Sequence, residues 1–282
     1  MSGAAAGDFL ARMAATSHQR LAAARAQVPE PALRAQVATL PAPPAPRFPR
    51  TGFHLIAEVK RRSPAAGRLA DAVLAPDVQA RRYAAAGALA VSVLTEPTEF
   101  HGDLADLRAV CAALPALPVM RKDFLVDAYQ VLEARAAGAA GVLLIAAMLE
   151  PARLVQLLDQ ALALGMFALV EVFDAGELAA CTPLLERVAA TPAGQGRVLL
   201  GVNCRDLRTL AVDFERFAAL APHLPPTLPW VAESGIDTPG AAATVARLGY
   251  SLALVGTALM RADDPAAAGQ ALLAAGRAAR GG

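Results

Sequence analysis

The sequence predicts an α/β protein: a (β/α)8 TIM barrel with an N-terminal helical extension. After residue 50, short apolar runs alternate with Ala-, Leu- and Arg-rich segments of helical character. Such alternation is typical of parallel strands joined by right-handed helical crossovers. Eight strand–helix units fit into about 230 residues, a length that suits one closed barrel. A single large barrel domain is therefore expected.

The eight strand-like runs are regularly spaced. They cover residues 54–60, 88–94, 117–122, 140–145, 166–172, 198–203, 228–233 and 251–256. Helices are expected between them, for example over residues 77–86, 104–113, 128–137, 151–164 and 239–248. An open, doubly wound sheet is the alternative, but such a sheet more often carries a GxGxxG turn after its first strand, and none is present here.

Residues 1–50 differ from the rest of the chain and are expected to form the extension. Apolar residues recur with roughly helical spacing between Phe9 and Val37, and the stretch PEPAL divides this part into two helical pieces. The Pro-rich stretch over residues 40–50 predicts an extended connector. A disordered tail is the alternative, but the apolar periodicity gives the segment a face to bury. The catalytic barrel is then expected over residues 51–282.

Composition narrows the possible functional classes. The chain has 26 basic and 25 acidic residues, a net charge of +1 and no basic run, so neither a nucleic acid nor an anionic membrane is an expected partner. Its 3 cysteines are far apart and form no CxxC or Cys/His cluster, which argues against disulfides and zinc. No apolar run reaches the roughly 20 residues that span a bilayer, and no signal peptide is expected. These features favour a cytoplasmic protein with a small-molecule partner, as a monomer or weak homodimer.

Charged and amide side chains stand where five of the predicted strands end. Residues two apart share one face of a strand, so the first run places Glu58 and Lys60 together. Four later runs end in the same way, with Lys122, Glu171, Asn203, Arg205 and Glu233. The carboxyl ends of barrel strands form the mouth where active sites lie. One strand-terminal charge is usually a solvated loop residue, but five such strand ends predict a shared site.

Two glycine-containing loops predict an anion site on the same rim. The stretch ESGI, with Ser234 and Gly235, follows the seventh strand, and LVGTAL, with Gly256 and Thr257, ends the eighth. Glycine lets backbone N–H groups approach an anion, and phosphate sites after strands seven and eight are frequent in barrels. Ser63, in the first loop, is a further candidate because its hydroxyl could join them.

Seven stretches, in order along the chain, carry a family resemblance. Serial motifs of the indole-3-glycerol-phosphate synthases resemble IAEVKRRSP, VSVLTEPTEFHG, PVMRKDFLVDAYQVLEARAAGA, LVEVFD, GVNCRDL, ESGI and LVGTALMR. The N-terminal LARMAATSHQRLAAARAQVP resembles the helical extension of that family, and together the motifs span nearly all of residues 8–265. The resemblance implies a carboxy-lyase of tryptophan biosynthesis. The substrate would be 1-(2-carboxyphenylamino)-1-deoxyribulose 5-phosphate, which cyclises with loss of carbon dioxide and water, without a metal or organic cofactor.

The resemblance also implies roles for individual residues. The catalytic positions are Lys122 as general acid, Glu171 as general base of the dehydration, and Glu58 as a carboxylate that supports proton transfer. The substrate-binding positions are Lys60, Asn203, Arg205, Glu233 and Phe124. The phosphate-binding positions are Ser63, Ser234, Gly235, Gly256 and Thr257. Lysine suits the role of an acid because burial can lower its pKa toward the working range.

Three positions depart from the family pattern. Cys204 stands where asparagine is frequent, and its side chain is expected to point away from the cavity. The first loop, SPAAG, lacks a lysine that many members carry, which puts its mobility or substrate steering in question. Ala75 replaces an acidic residue before a proline, a change expected to alter a helix cap rather than the site.

Two other functions remain as alternatives. Another phosphate-binding barrel, such as phosphoribosylanthranilate isomerase, would be expected to carry a cysteine in its first strand, and this strand has none. A catalytically inert binding barrel would be expected to have lost the charges at its mouth, whereas every matched position here is filled.

Overall fold

The fold was determined from a computed structural model, which describes residues 9–44, 48–63, 67–68, 74–207 and 211–281, without the side chains of residues 63, 67 and 68. Within these residues, eight parallel strands close into a barrel. They are β1 (His54–Val59), β2 (Ala90–Leu94), β3 (Val119–Lys122), β4 (Gly141–Ile145), β5 (Phe167–Val172), β6 (Val198–Asn203), β7 (Trp230–Glu233) and β8 (Leu252–Val255). Each strand pairs with its chain neighbours, and β8 closes on β1. The predicted (β/α)8 fold is confirmed, and the predicted strand ends agree to within two residues.

Helices cover the outside of the barrel and extend it at the N-terminus. The extension consists of α1 (Phe9–Gln27) and α2 (Glu30–Ala38). The others are α3 (Pro76–Ala85), α4 (Leu104–Ala113), α5 (Ala128–Ala136), α6 (Pro151–Ala163), α7 (Ala175–Ala189), α8 (Arg216–Leu220), α9 (Pro239–Arg247), α10 (Thr257–Arg261) and α11 (Pro265–Ala279). Short 3-10 helices span Ala146–Met148 and Ala221–His223. None of the helices in the described part of the chain is both long and apolar enough to cross a membrane.

Two apolar layers hold the barrel together. Outward-facing strand residues pack against the helices in one continuous core. Inward-facing residues fill the barrel lumen, among them Ile56, Met120 and Leu199. Phe48, from the end of the Pro-rich connector, packs edge-on against Phe167 at the start of β5, with ring centroids 4.7 Å apart. The connector thus closes the amino-terminal end of the barrel and leaves the carboxyl-terminal end for a site.

The loop that follows β1 is anchored at its beginning. Arg61 donates two hydrogen bonds to the carboxylate of Asp106 on α4, at 2.7 Å and 2.6 Å. A two-stranded antiparallel hairpin follows, formed by Arg62–Ser63 and Gly67–Arg68. The loop is therefore tied to the barrel wall at the point where it leaves the first strand.

Most barrel helices begin at a side-chain cap, as with Asp103 on α4 and Asp127 on α5. Helix α3 begins differently, because Ala75 occupies its N-cap position, no side-chain hydrogen bond is made there, and Pro76 is the first helical residue. Ala75 therefore lies at a helix cap, as predicted, and lies apart from the residues that line the main cavity.

Helix α1 is fastened to the loop that follows β3. Arg20 donates two hydrogen bonds of 2.8 Å to the fully buried carboxylate of Asp123. The hydroxyl of Ser17 donates to the carbonyl of Phe124 at 2.5 Å and accepts a hydrogen bond from Gln130 at 2.9 Å. The extension therefore contacts the residues immediately after Lys122. A division of the chain into domains at residue 50 stays a prediction.

Replacing Arg20 with methionine tests this clamp. Burial alone would raise the pKa of Asp123, but Arg121, Arg20 and Thr95 hold that pKa well below its usual range. Asp123 therefore stabilises the fold above pH about 4, and this contribution is lost as the pH falls. We expect Arg20→Met to lower the free energy of unfolding at pH 7 by about 2 to 3 kcal/mol, since a buried carboxylate loses two donors.

Urea denaturation at pH 7 and pH 3 measures both effects. Arg34→Met is the matched control because Arg34 makes an exposed pair with Glu30 on the same helix, and we expect a cost of about 0.5 kcal/mol or less. Equal losses of unfolding free energy in the two variants would show that the Arg20–Asp123 pair stabilises the fold no more than an exposed ion pair does.

Candidate active site

The carboxyl-terminal end of the barrel opens into a cavity of about 290 Å³. Ten of the residues predicted for the site line it: Glu58, Lys60, Lys122, Asn203, Arg205, Glu233, Ser234, Gly235, Gly256 and Thr257. The parallel register explains the convergence, since neighbouring strands bring their carboxyl ends to one level. Asn203 is paired with Glu233, for example, and Glu233 with Leu254.

Two lysines share the carboxylate of Glu58 at the cavity wall. Lys60 Nζ lies 2.7 Å from Glu58 Oε2, and Lys122 Nζ lies 3.9 Å from Glu58 Oε1. The three side chains are mostly buried, with exposed fractions of 11% for Lys60, 16% for Lys122 and 6% for Glu58. The charges predicted from the ends of β1 and β3 therefore meet in one cluster.

The charges in this cluster reinforce one another. Burial alone would raise the pKa of Glu58, but the cations of Lys60, Lys122 and Arg205 outweigh it and lower that pKa. Burial alone would also lower the pKa of Lys122, but Glu171, Glu58 and Glu233 outweigh that effect and raise it. Burial by itself lowers the pKa of Lys122, but the expectation that this pKa falls toward the working range is wrong. Three carboxylates surround the ammonium group and keep it charged.

Two further carboxylates lie at this end of the lumen. Glu171 at the end of β5 has no exposed surface, and Glu233 at the end of β7 is 1% exposed. Burial and the neighbouring charge of Glu171 raise the pKa of Glu233 well above its usual value, although the cation of Lys122 opposes this shift. Glu171 lies outside the set of residues that line the cavity, so a direct contact of Glu171 with substrate stays a prediction.

The loop after β7 has an unusual backbone at the cavity rim. Ser234 and Gly235 both adopt left-handed conformations, with φ of 68° at each. A Cβ atom at Gly235 would lie 3.1 Å from the sulfur of Cys204, so both the backbone conformation and the space favour glycine here. Successive N–H groups in such a turn are suited to hold an anion.

Gly256, in the loop after β8, affects the site in two ways. Helix α10 begins directly after Gly256, and Thr257 at its start lines the cavity. A Cβ atom at Gly256 would overlap the carboxylate of Glu58. Because Gly256 has no side chain, there is room for the carboxylate of Glu58. The same absence would let an anion on the rim approach the backbone. The side chain of Ser63, the remaining predicted phosphate ligand, lies outside the described residues.

The end of β6 is fixed by local hydrogen bonds. The side-chain oxygen of Asn203 accepts from the backbone N–H of Arg205 at 2.9 Å, and the Asn203 carbonyl accepts from Arg216 at 2.9 Å. Cys204 points to the helix side, where its buried thiol donates to the carbonyl of Ser234 at 3.3 Å. Burial raises the pKa of this thiol to about 12. The prediction that Cys204 faces away from the cavity is confirmed.

Phe124 lies one layer behind the cavity wall. Its ring contacts Phe9 of α1 and Phe100, with centroid distances of 6.0 Å and 6.1 Å, and it is 5% exposed. Phe100, and not Phe124, lines the cavity. A direct contact of Phe124 with substrate stays a prediction, whereas its support of Phe100 is observed.

Some cavity residues were missed in the sequence. They include Leu94, Phe100, Leu207, Asp237 and Arg261. Phe100 and Arg261 fall inside two of the family-like motifs, so their positions carried a signal. The lysine count is a separate signal, which supports two of the predicted residues: Lys60 and Lys122 are the only lysines of the sequence.

The two lysines are informative because lysine and arginine side chains differ chemically. An arginine side chain stays charged at all ordinary pH values, whereas lysine can give up a proton when its surroundings change. Both lysines lie in the cavity, which indicates that this site needs the ammonium group itself. Among the described residues, no cluster of His, Cys, Asp and Glu side chains could hold a metal ion.

The fold and the site together define a (β/α)8-barrel enzyme whose acids and bases converge on the carboxyl ends of the strands. The family model described as indole-3-glycerol phosphate synthase matches residues 10–272. The chain therefore belongs to the indole-3-glycerol phosphate synthase family.

Individual relatives agree with this assignment. An indole-3-glycerol phosphate synthase of a Nocardioides species is 47% identical over 258 residues, which cover 92% of this chain and 90% of the relative. That of Mycobacterium avium is 44% identical over 269 residues, which cover 95% and 90%.

Among solved structures, 3-hexulose-6-phosphate synthase from Salmonella typhimurium superposes with a TM-score of 0.58 at 16% identity, covering 79% of this chain and 98% of that one. Thiamine phosphate pyrophosphorylase from Pyrococcus furiosus gives the same score and identity and covers 82% and 98%. At such identity the likeness concerns the fold alone.

The charge of Lys122 can be tested directly because the chain has two lysines. In protein labelled with ¹⁵N-lysine, we expect Lys122 to stay protonated above its ordinary pKa of about 10.4. Its stabilising contribution is then complete below that pH and is lost as the pH rises through the raised pKa. Glu58→Gln removes one of three surrounding carboxylates, and we expect it to lower the Lys122 pKa.

The Nζ signals, followed by NMR from pH 8 to pH 12, report this pKa. Glu30→Gln is the control because it removes a carboxylate on α2, in an exposed pair with Arg34. A Lys122 signal that titrates identically in wild type and Glu58→Gln would contradict the electrostatic coupling.

Proposed function

We propose that this chain closes the indole ring of indole-3-glycerol phosphate, starting from 1-(2-carboxyphenylamino)-1-deoxyribulose 5-phosphate. The observation that carries the proposal is the convergence of Glu58, Lys60 and Lys122 on one cavity in a member of this family. The reaction joins a ring carbon to the C2′ carbonyl carbon and releases carbon dioxide and water, so the enzyme acts as a carboxy-lyase. Each step requires a proton at a defined atom.

Lys122 is proposed as the acid of the first step. The surrounding acidic side chains raise the pKa of Lys122 and keep it in the ammonium form, so a proton donor is present at neutral pH. Hydrogen bonding from Nζ to the C2′ carbonyl oxygen would make the carbonyl carbon electrophilic as the ring carbon attacks. The proton passes to that oxygen, which becomes the hydroxyl lost later as water.

Glu58 and Lys60 are proposed to stabilise the charges at the anthranilate end of the substrate. Lys60 holds Glu58 at 2.7 Å in the protein alone. A bound substrate carboxylate would be a second partner for Lys60, and Asn203 lines the same cavity. Glu58 would stabilise the positive charge that develops on the anilino nitrogen until carbon dioxide leaves.

Glu171 is proposed as the base of the dehydration. It would take a proton from C1′, the carbon next to the nitrogen in the new five-membered ring, so that the carbon–carbon double bond of the indole forms. The C2′ hydroxyl leaves as water with a proton from Lys122, which regains a proton from solvent after the first step. The position of Glu171, buried beside Glu233 and Lys122, excludes bulk water from this proton transfer.

The phosphate is proposed to bind at the loops that follow β7 and β8. Ser234, Gly235, Gly256 and Thr257 line that side of the cavity, and Arg261 adds a cation there. Backbone N–H groups in these loops, together with one guanidinium, suit a phosphate dianion. Arg205 is proposed to orient substrate between the two ends. A cytoplasmic location and a monomer or weak homodimer complete the proposal.

Purified protein is expected to convert the substrate to indole-3-glycerol phosphate without added metal. The fluorescence of the product indole measures the reaction, and a sample treated with a chelator is the control. Well-folded protein that gives no indole fluorescence with authentic substrate would overturn the proposed function.

Lys122→Ala is expected to fold normally and to lower turnover at least about a hundredfold, the lower end for loss of a positioned acid. Lys122→Arg should lose as much, because a guanidinium keeps the charge but does not release a proton. Arg34→Ala, which removes an exposed cation, is the control for loss of charge. Turnover near that of wild type in Lys122→Arg would show that position 122 needs only a positive charge. That result would contradict the role of Lys122 as an acid.

A further inference from the structure

Glu171 and Glu233 form a pair of buried carboxylates at the end of the lumen. They are 0% and 1% exposed. None of their four oxygen atoms accepts a hydrogen bond from a donor in the part of the chain that the structure describes. Burying an ionised carboxylate without donors is costly, and two adjacent negative charges cost more. A pair of this kind is stable when one member keeps its proton and donates it to the other.

Gly201 leaves space for the carboxylate of Glu233 beside the strand position of Glu171. It lies on β6, directly opposite Glu171 on β5 and Val231 on β7. A Cβ atom at Gly201 would overlap Oε1 of Glu233 and would lie 3.1 Å from Cδ1 of Leu169. The carboxylate of Glu233 therefore reaches back from β7 across β6, toward the strand that carries Glu171. Any side chain at position 201 would push it away.

The other charges around the pair do not neutralise both acids. Lys122 interacts with Glu233 and Glu171, but its Nζ atom also lies 3.9 Å from the carboxylate of Glu58. Glu58 forms a closer ion pair with Lys60, at 2.7 Å. Arg205 acts on Glu58 and on Lys122 from the end of β6. The balance of these charges and burial raises the pKa of Glu233 well above its usual value.

We propose that Glu171 and Glu233 share one proton across the space left by Gly201, and that Gly201 is the positioning residue for this pair. The proposal rests on the proposed function in one respect, the role of Glu171 as the base. Glu233 carries the proton and donates it to one oxygen of Glu171. Glu171 then stays ionised and oriented, with its other oxygen left to accept a proton from the substrate.

The shared proton also sets the charge of the site. Lys60, Lys122 and Arg205 then stand among two carboxylates instead of three, so the site is more positive toward a substrate that carries a carboxylate and a phosphate. Loss of the proton at high pH would place a second negative charge beside Glu171 and Lys122. We therefore expect turnover to fall as the pH rises through the raised pKa of Glu233.

Infrared spectroscopy of the protein without substrate tests the proton itself. Wild-type protein at pH 7 should show the carbonyl stretch of a protonated carboxylic acid, and the band should be missing from Glu233→Gln, which has no acid there. Wild-type protein with no such band, or a band that is unchanged in Glu233→Gln, would overturn the proposal. This readout needs no turnover, so it stays decisive even if ring closure fails in the assay above.

Gly201→Ala tests the positioning role. The added methyl group displaces the Glu233 carboxylate, so the acid band should titrate at lower pH than in wild type. The basic limb of the pH profile of kcat should move the same way, and kcat should fall at least about tenfold, with a smaller change in KM, because displacement by about 1 Å is costly.

Gly141→Ala is the matched control, because its methyl group would overlap the ring of Phe167 at the other end of the lumen. It overfills the same barrel without touching the pair, and we expect its band and pH profile to match those of wild type. An unchanged titration in Gly201→Ala, or equal shifts in both glycine variants, would overturn the role of Gly201. If Gly201→Ala does not fold, the comparison of wild type with Glu233→Gln still decides the shared proton.

Discussion

The positive charge of Lys122 is the interaction on which the site depends. Three acidic side chains surround it, Glu58 from β1, Glu171 from β5 and Glu233 from β7, and none of them is near Lys122 in the sequence. Only a closed barrel brings these strand ends around one ammonium group. The same ammonium group in turn lowers the pKa of Glu58, so acid and base define each other's protonation state.

Packing around Lys122 is rigid on the side away from substrate. Asp123, the next residue, accepts hydrogen bonds from Arg20, Arg121 and Thr95 and is fully buried. Arg121 also donates to Glu133 at 2.7 Å, which ties the strand to α5. The extension is thus part of the wall behind the lysine. A precisely placed proton donor needs such support, because small displacements are costly in catalysis.

Two glycines determine where the acidic side chains of the site can lie. Gly256 leaves room for the carboxylate of Glu58, and Gly201 leaves room for that of Glu233. Gly256 follows β8, which pairs with β1, and Gly201 lies within β6, which pairs with β7, so each glycine is next to the strand that carries the acid. The lumen is narrow and closely packed, so a carboxylate can lie inside it only where a neighbour gives up its side chain.

The sequence by itself determined the barrel, because apolar periodicity and helix signals are local properties, and it marked Glu58, Lys60, Lys122, Glu171 and Glu233 as strand-terminal charges. The tertiary structure decided what those charges do to one another. It raised the pKa of Lys122 where burial alone predicted a decrease, and it placed Phe124 behind Phe100. Electrostatic coupling depends on distances between strands that are far apart in the chain, and only closure of the barrel sets those distances.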